Sequence, residues 1–143
     1  MELPRVEVEQ VLPARLEEVY QVLRDMERFP EFMKSVESIT VRERGTDYTV
    51  TEWIARLQGA RFRWVERDQF LPERIVYRQV EGDLKTFEGE WRLSSEGQAT
   101  RVTLVTDFEF GIPMLSQLLN PVAKVAIREN ARAMLDAIAR QVG

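Results

Sequence analysis

Apolar and polar residues alternate along two parts of the chain, first over 3–11 and then almost without a break from Val36 to Phe110. A period of two places successive side chains on opposite faces of an extended strand, so both parts are predicted to be β-structure. Short connections between the predicted strands indicate antiparallel neighbours. The second part divides at glycines and polar turns into six predicted strands, near 36–44, 47–57, 60–70, 74–81, 86–94 and 99–110.

The remaining segments have helical spacing. A helix is predicted over 14–26, with Pro13 near its first turn, and a second, short helix over 29–33. After the last strand, Asn120-Pro121 has the form of an N-cap followed by proline in the first turn. This pattern predicts a short helix that ends there and a long helix over 121–142. Helices segregated from a sheet of about seven antiparallel strands define an α+β fold.

The inner face of the sheet follows from one hairpin. A two-residue turn at Gln58-Gly59 would pair Trp53 with Trp64, and the next hairpin would pair Asp68 with Tyr77. The face that contains these residues is aromatic at one end and polar at the other, whereas the opposite face is rich in arginine. The predicted members of the inner face are Trp53, Phe62, Trp64, Phe70, Thr51, Glu66, Asp68, Tyr77 and Gln79.

The inward face of the long helix is rich in alanine. A helix that fills a core against a sheet usually carries Leu, Ile and Phe. Small side chains beneath a strongly bent aromatic sheet therefore predict an internal hydrophobic cavity. The predicted inward residues are Ala123, Ala126, Ile127, Ala131, Met134, Ala137 and Ile138, with Asn130 near their edge.

Each group in this arrangement has two explanations at the level of sequence. The aromatic cluster is either core packing or the wall of a ligand site, and Trp91 is expected to be structural first. Glu66 and Asp68 either lie at a solvated rim or act as acid and base inside the cavity. Buried carboxylates are unfavourable unless they have partners, which favours the rim. Asn130 either satisfies backbone groups or contacts a ligand.

Composition narrows the possible chemistry. The 143 residues fit one domain, 1–143, and the absence of Cys and His excludes disulfides, thiol nucleophiles, Ser-His relays and most zinc sites. A formal charge of −4 argues against nucleic-acid binding. No run approaches a membrane span and the N-terminus has no apolar signal region, so we expect a cytoplasmic protein.

Several stretches resemble one superfamily over nearly the whole chain. They are Pro13 with the helix that follows, Asp25-Met26-Glu27-Arg28-Phe29-Pro30-Glu31-Phe32, Glu88-Gly89-Glu90-Trp91-Arg92-Leu93, Phe108-Glu109-Phe110 and Asn120-Pro121-Val122. They are similar to the START-like (SRPBCC) superfamily, in its polyketide cyclase/dehydrase and coenzyme-Q-binding branch. The resemblance implies a helix-grip fold, with two short helices between the first two strands and a bent sheet wrapped around the C-terminal helix. It also implies a hydrophobic small molecule between sheet and helix.

This superfamily contains enzymes and non-enzymes, so its fold leaves the activity open. Its aromatase/cyclase members resemble the chain at Phe62 and Trp64, but they carry an arginine where this chain has Asp68. An anion at that position would oppose a developing enolate. The coenzyme-Q-binding and ribosome-associated members act by binding. The leading hypothesis is therefore binding or carriage of a quinone, an aromatic polyketide or an isoprenoid lipid.

Under this hypothesis, residues 112–119 form a lid over the cavity. The predicted ligand contacts are Trp53, Phe62, Trp64, Glu66, Asp68, Tyr77, Gln79, Trp91, Asn130 and Met134. The alternative is a polyketide aromatase/cyclase with Glu66 or Asp68 as base and Tyr77 as proton donor. A third possibility is a protein-interaction module that docks through Leu115, Leu118 and Leu119. We expect no cofactor or metal, at most peripheral membrane contact, and a monomer or weak dimer.

Overall fold

Seven antiparallel strands form one curled sheet around a C-terminal helix. The structure is a computed structural model that describes residues 3–111 and 113–142, with side chains described for 3–111 and 118–142. The strands are β1 (Arg5–Leu12), β2 (Val36–Arg44), β3 (Tyr48–Leu57), β4 (Ala60–Leu71), β5 (Arg74–Gly82), β6 (Thr86–Glu96) and β7 (Ala99–Glu109). The helices are α1 (Leu16–Arg24), a 3₁₀ helix (Met26–Glu31) and α2 (Pro113–Gln141).

The strand order follows the chain, with β1 added at the far edge beside β7, and this arrangement confirms the predicted α+β meander. The β3–β4 turn is the predicted two-residue turn, in which Gln58 and Gly59 have φ angles of 52° and 81°. Positive φ at both central residues matches the right-handed twist of the flanking strands. The resulting register pairs Trp53 with Trp64, as predicted, and the next hairpin pairs Glu66 with Gln79.

The 3₁₀ helix closes one end of the core. Phe29 in this helix is fully buried, with its ring centroid 6.0 Å from that of Trp53 and 6.1 Å from that of Trp91. Pro30 lies within this short helix and supplies no backbone donor there. The short helix thus places one aromatic ring between two strands of the sheet.

Helix α2 packs its predicted inward face on the sheet. Ile127, Met134 and Ile138 are buried, whereas Arg132 and Asp136 on the opposite face are exposed. The burial pattern confirms the predicted orientation of the helix. Leu135, which the prediction omitted, is also fully buried.

The predicted break in this helix at Asn120-Pro121 is wrong. Helix α2 is continuous from Pro113 to Gln141 and contains Pro121 within it. Proline removes one backbone donor, but the turns on either side keep their own hydrogen bonds, so a single proline does not oblige the helix to end. Of the predicted lid, 112–119, residue 112 and the side chains of 113–117 lie outside the described residues.

The outer face of the sheet carries the predicted charged side chains, which pair with one another. Glu52 lies between Arg42 and Arg63, with oxygen–nitrogen distances of 2.5 and 2.6 Å, and Glu37 contacts Arg56 at 2.5 Å. Such exposed pairs contribute little stability individually, but they keep this face hydrated. None of the helices in the described part of the chain is long and apolar enough to cross a bilayer.

Candidate functional site

An apolar cavity of about 330 Å³ lies between the inner face of the sheet and α2. Small-molecule sites commonly have volumes of about 300–1,000 Å³, so this cavity suits a compact ligand. Of the predicted contact residues, the cavity is lined by Trp53, Phe62, Trp64, Glu66, Tyr77, Gln79, Trp91, Asn130 and Met134. Asp68 does not line it.

The cavity exists because the facing side of α2 is thin. Ala123, Ala126 and Ala131 line it directly, as the alanine-rich pattern predicted. Their methyl groups leave unfilled the space that leucine or phenylalanine would occupy. The larger Ile127 and Met134 line the same side of the helix and bound the cavity.

Stacked aromatic rings form the wall opposite α2. Trp53 and Trp64, cross-strand partners on β3 and β4, have ring centroids 5.5 Å apart and planes 16° apart. Phe87 on β6 continues the wall, 5.1 Å from Trp64 and 5.9 Å from Tyr77 between ring centroids. The sequence pattern placed Phe87 on the same side of its strand as Trp91, but the prediction did not include it in the wall.

The Tyr77 side chain extends from β5 across Gly89 of β6 and reaches β7. Its hydroxyl donates to the Val105 carbonyl oxygen at 2.9 Å and lies 2.6 Å from Thr106 Oγ1. A β-carbon at Gly89 would lie 1.8 Å from the Val105 oxygen and 2.7 Å from Tyr77 Oη. Only glycine permits this approach, and a glycine inside a strand is the sequence signal for it. Burial raises the pKa of Tyr77, so its hydroxyl stays neutral and its proton is committed to the backbone.

The two carboxyl groups are buried, so the solvated-rim explanation does not hold. Glu66 is 3% exposed and Asp68 is 0% exposed. Thr51 and Thr49 donate to Asp68 Oδ2 at 2.7 and 3.0 Å, which fixes Asp68 behind the cavity wall. Trp64 Nε1 donates to Glu66 Oε1 at 2.7 Å, and Glu66 lines the cavity itself.

Their shared burial controls the ionisation of both acids. Burial raises the pKa of Glu66 well above its usual range, and the adjacent Asp68 raises it further. Burial also raises the pKa of Asp68, but hydrogen bonds from Glu66, Thr51 and Thr49 favour its charged form and oppose that rise. Of the two acids, Glu66 therefore has the stronger tendency to hold a proton.

Gln79 and Asn130 add neutral amides to the lining of the cavity. Gln79 Nε2 donates to the Leu84 carbonyl oxygen at 2.5 Å, which leaves its side-chain oxygen as an acceptor. Asn130 Nδ2 donates to Met134 Sδ at 3.4 Å, a weak contact between neighbouring turns of α2. Among the described residues, no group of three or more acidic side chains could hold a metal ion.

The mouth of the cavity lies beside the first described side chains of α2. Leu119 and Val122 line the cavity and are also 40% and 62% exposed. Arg63 and Asp83 contribute charged groups to the lining, and Arg63 pairs with Glu52. The entrance is thus apolar on the helix side and charged on the sheet side.

A curled antiparallel sheet that holds a long C-terminal helix over an apolar cavity is the helix-grip fold, and it places the chain in the START-like superfamily. Residues 12–135 match the family described as polyketide cyclase / dehydrase and lipid transport. The chain belongs to that family. A search of curated proteins found no significant match.

Solved structures share this fold over almost the whole chain. TTHA0849 from Thermus thermophilus is 32% identical, with a TM-score of 0.89 and coverage of 96% of this chain and 95% of that one. The Zhui aromatase/cyclase from a Streptomyces species is 22% identical, with a TM-score of 0.87 and coverage of 96% and 92%. A START superfamily protein from Mycobacterium smegmatis is 16% identical, with a TM-score of 0.84 and coverage of 96% of each chain. The last two show a common fold alone.

Proposed function

We propose that the protein binds or carries a hydrophobic small molecule, such as a quinone, an aromatic polyketide or an isoprenoid lipid, in the cavity under α2. The observation that carries the proposal is the cavity itself, whose lining includes all three tryptophans of the chain and Ala123, Ala126 and Ala131 of α2. Sites of this kind combine a mostly apolar lining with a few placed polar groups.

The energetics of the void support the same proposal. An empty apolar cavity weakens a fold, because the atoms around it lose packing contacts. A ligand that fills the cavity restores those contacts and removes its own apolar surface from water, which contributes about 25 cal/mol per Å². Binding to the folded state alone then stabilises the protein by mass action.

Different residues would have different roles in holding such a molecule. Trp53 and Trp64 offer aromatic surface for a flat ligand, and Glu66 and Gln79 offer polar atoms at the wall. Asp68, which was predicted to contact the ligand, lies behind Glu66. Asp68 would therefore affect the ligand only indirectly, by holding Glu66 in position and influencing its ionisation.

A matched pair of substitutions tests this function. Ala126 lines the cavity, whereas Ala133 on the same helix is exposed. In native mass spectrometry of protein purified from its own host, we expect a bound small molecule in the wild type and in Ala133→Phe, and none in Ala126→Phe. An empty wild-type cavity, or equal occupancy in the two variants, would overturn the proposal. A protein-interaction module would keep its partner when the cavity is filled.

An aromatase/cyclase is the second candidate function, and one observation favours it. Glu66 places a carboxyl group with a raised pKa on the wall of an apolar cavity, where general acid–base chemistry is feasible without histidine. Tyr77 is not a free proton donor, because its hydroxyl bonds the Val105 carbonyl. An enzyme would convert a poly-β-ketone to a cyclised, dehydrated product, and Glu66→Gln would abolish that turnover while leaving binding nearly intact. A carrier would return the ligand unaltered.

A further inference from the structure

The indole donors of the cavity wall are already used within the protein. Trp53 Nε1 donates to Thr51 Oγ1 at 2.8 Å, and Trp64 Nε1 donates to Glu66 at 2.7 Å. The Gln79 amide donates to the Leu84 carbonyl. Each indole has a single N–H, which it donates inside the wall, whereas the amides of Gln79 and Asn130 each keep a second N–H.

The hydroxyl groups of Tyr77 on β5 and Thr106 on β7 also donate their protons within the protein. Tyr77 gives its proton to the Val105 carbonyl, so the proton in the 2.6 Å contact between Tyr77 and Thr106 comes from Thr106. A hydroxyl group has one proton and two lone pairs, and both protons of this pair are committed. What Tyr77 and Thr106 can still offer a ligand is lone pairs.

The carboxyl pair completes this account of donors and acceptors. Asp68 Oδ2 accepts from Thr49 and Thr51, but the buried Oδ1 meets no N–H or hydroxyl donor within the described part of the chain. The group that bonds Asp68 from the cavity side is Glu66. If Glu66 carries a proton, it donates to Oδ1 and leaves no buried acceptor unsatisfied. With Trp64 on its other oxygen, Glu66 then has only lone pairs to present to a ligand.

We propose that Glu66 and Asp68 share one proton, and that the part of the wall formed by this pair, the indoles and the Tyr77–Thr106 hydroxyls offers only acceptors and so selects neutral ligands that carry a hydroxyl donor on an apolar body. This inference rests on the proposed binding function and specifies its ligand class. The pair holds one negative charge, which disfavours carboxylate ligands. Among the described residues, Tyr77 on β5 is the titratable neighbour of the pair and stays neutral, α2 adds apolar groups and the amide of Asn130, and Arg63 and Asp83 are the charged groups elsewhere in the lining.

Three probes of one shape test the selectivity by calorimetry at pH 7: 2-naphthol, 2-methoxynaphthalene and 2-naphthoate. We expect 2-naphthol to bind about tenfold more tightly than 2-methoxynaphthalene, since only the former can donate to an acceptor. We expect 2-naphthoate to bind most weakly. Equal affinities for all three would overturn the selectivity and leave the binding function standing. Failure of all three to bind would overturn the binding function and the inference with it.

An isosteric substitution changes the hydrogen-bonding groups of the wall without changing the shape of the cavity. In Glu66→Gln the amide still donates to Asp68 and accepts from Trp64, but its second N–H adds a donor to the wall. We expect the preference for 2-naphthol over 2-methoxynaphthalene to fall from about tenfold to about equal affinity in this variant. The exposed Glu17 on α1 supplies the control, Glu17→Gln, which should keep the wild-type preference. An unchanged preference in Glu66→Gln would overturn the role assigned to Glu66.

The shared proton has a direct test that needs no ligand. In protein labelled with ¹³C at glutamate side-chain carboxyls, the Glu66 signal is identified by its loss in Glu66→Gln. We expect this carbon to keep the chemical shift of a protonated carboxyl at pH 7 and to ionise at lower pH in Asp68→Asn, whose amide can donate to Glu66. A wild-type Glu66 that is fully ionised at pH 7 would overturn the shared proton.

Discussion

Glu66 occupies a position where an isolated carboxylate would be expensive. It is 3% exposed and borders an apolar cavity, so its charge has little water to solvate it. Trp64 and Asp68 provide its hydrogen-bond partners on either side. The combination of burial with a neighbouring acid explains why the pKa of Glu66 rises and why the acid is tolerated there.

Substitution of this one residue should change how stability depends on pH. A glutamate whose pKa is higher in the folded state contributes stability below its unfolded pKa of about 4.3, and this contribution is lost as the pH rises through the folded pKa. Relative to Glu66→Gln, the wild type should therefore lose up to about 1.4 kcal/mol of unfolding free energy per pH unit over that range. Urea unfolding from pH 4 to pH 9 measures the difference. Wild-type and Glu66→Gln curves that run parallel, as those of wild type and Glu17→Gln should, would contradict the account.

Trp91 combines a structural role with its place in the lining. It is 4% exposed, and its ring lies 6.1 Å from that of Phe29. We expect Trp91→Ala to lower the free energy of unfolding by about 3–5 kcal/mol, measured by urea denaturation. A loss below about 1 kcal/mol would mean that the inner face of β6 is packed differently.

Sequence counting located these residues on one face but could not give their depth. A two-residue turn fixes which residues are opposite one another, so the pairs Trp53–Trp64 and Asp68–Tyr77 followed from chain position alone. Depth depends on what covers the face. Because Thr49 and Thr51 of β3 bond the Asp68 carboxyl group, the acid is held behind the wall instead of on it.

At the scale of elements, the β5–β6–β7 crossing depends on one missing side chain. Gly89 stands between Tyr77 and its acceptor on β7. In Gly89→Ala the new methyl group would overlap the Val105 carbonyl, since a β-carbon at this position would lie only 1.8 Å from the carbonyl oxygen. We expect a loss of about 1–3 kcal/mol in unfolding free energy, together with a disturbed Tyr77 hydrogen bond. Gly97→Ala is the control, because Gly97 lies at an exposed turn where an added β-carbon would meet nothing within 4 Å. Its φ of 64° means that this variant reports backbone strain without steric overlap. A smaller loss at Gly89 than at Gly97 would contradict the crossing.

Helix α2 is a case in which a local capping motif predicted a helix start that the structure does not contain. Asn120-Pro121 has the chemistry of a helix start, but the same residues occur inside a helix when the turns before them are already formed. The amphipathic pattern was the stronger signal, and it predicted the buried face correctly. A cap motif is therefore less decisive than the periodicity that surrounds it.

The predicted lid remains testable in the part of α2 that lines the mouth. Leu119, Val122 and Ala123 border the cavity, whereas Leu135 and Ile138 pack in the core beyond it. We expect backbone amides of 118–126 to exchange faster than those of 134–141 in the free protein, and to slow when N-phenyl-1-naphthylamine is bound. Hydrogen exchange followed by mass spectrometry measures both. Equal protection of the two segments, unchanged by the probe, would identify α2 as a fixed element.

At the scale of the molecule, the fold was more predictable than the site's chemistry. Period-two alternation, short turns and an alanine-rich helix predicted an α+β fold with a cavity, the START-like resemblance implied the helix-grip architecture, and the family match over 12–135 agrees. Hydrogen-bond direction was not predictable, because it depends on distances between strands that are far apart in sequence. The contact of Tyr77 with Val105, 28 positions away, is one such case.

The central claim is that the space between sheet and helix is a binding site, and fluorescence tests it most directly. All three tryptophans line the cavity, so their emission reports on its contents. Titration with N-phenyl-1-naphthylamine should give saturable binding of one probe per chain, with quenching of tryptophan emission. Ala126→Phe should weaken this binding by at least about tenfold, equivalent to about 1.4 kcal/mol, while Ala133→Phe leaves it unchanged. Equal binding by the two variants, or no saturable binding by the wild type, would contradict the claim.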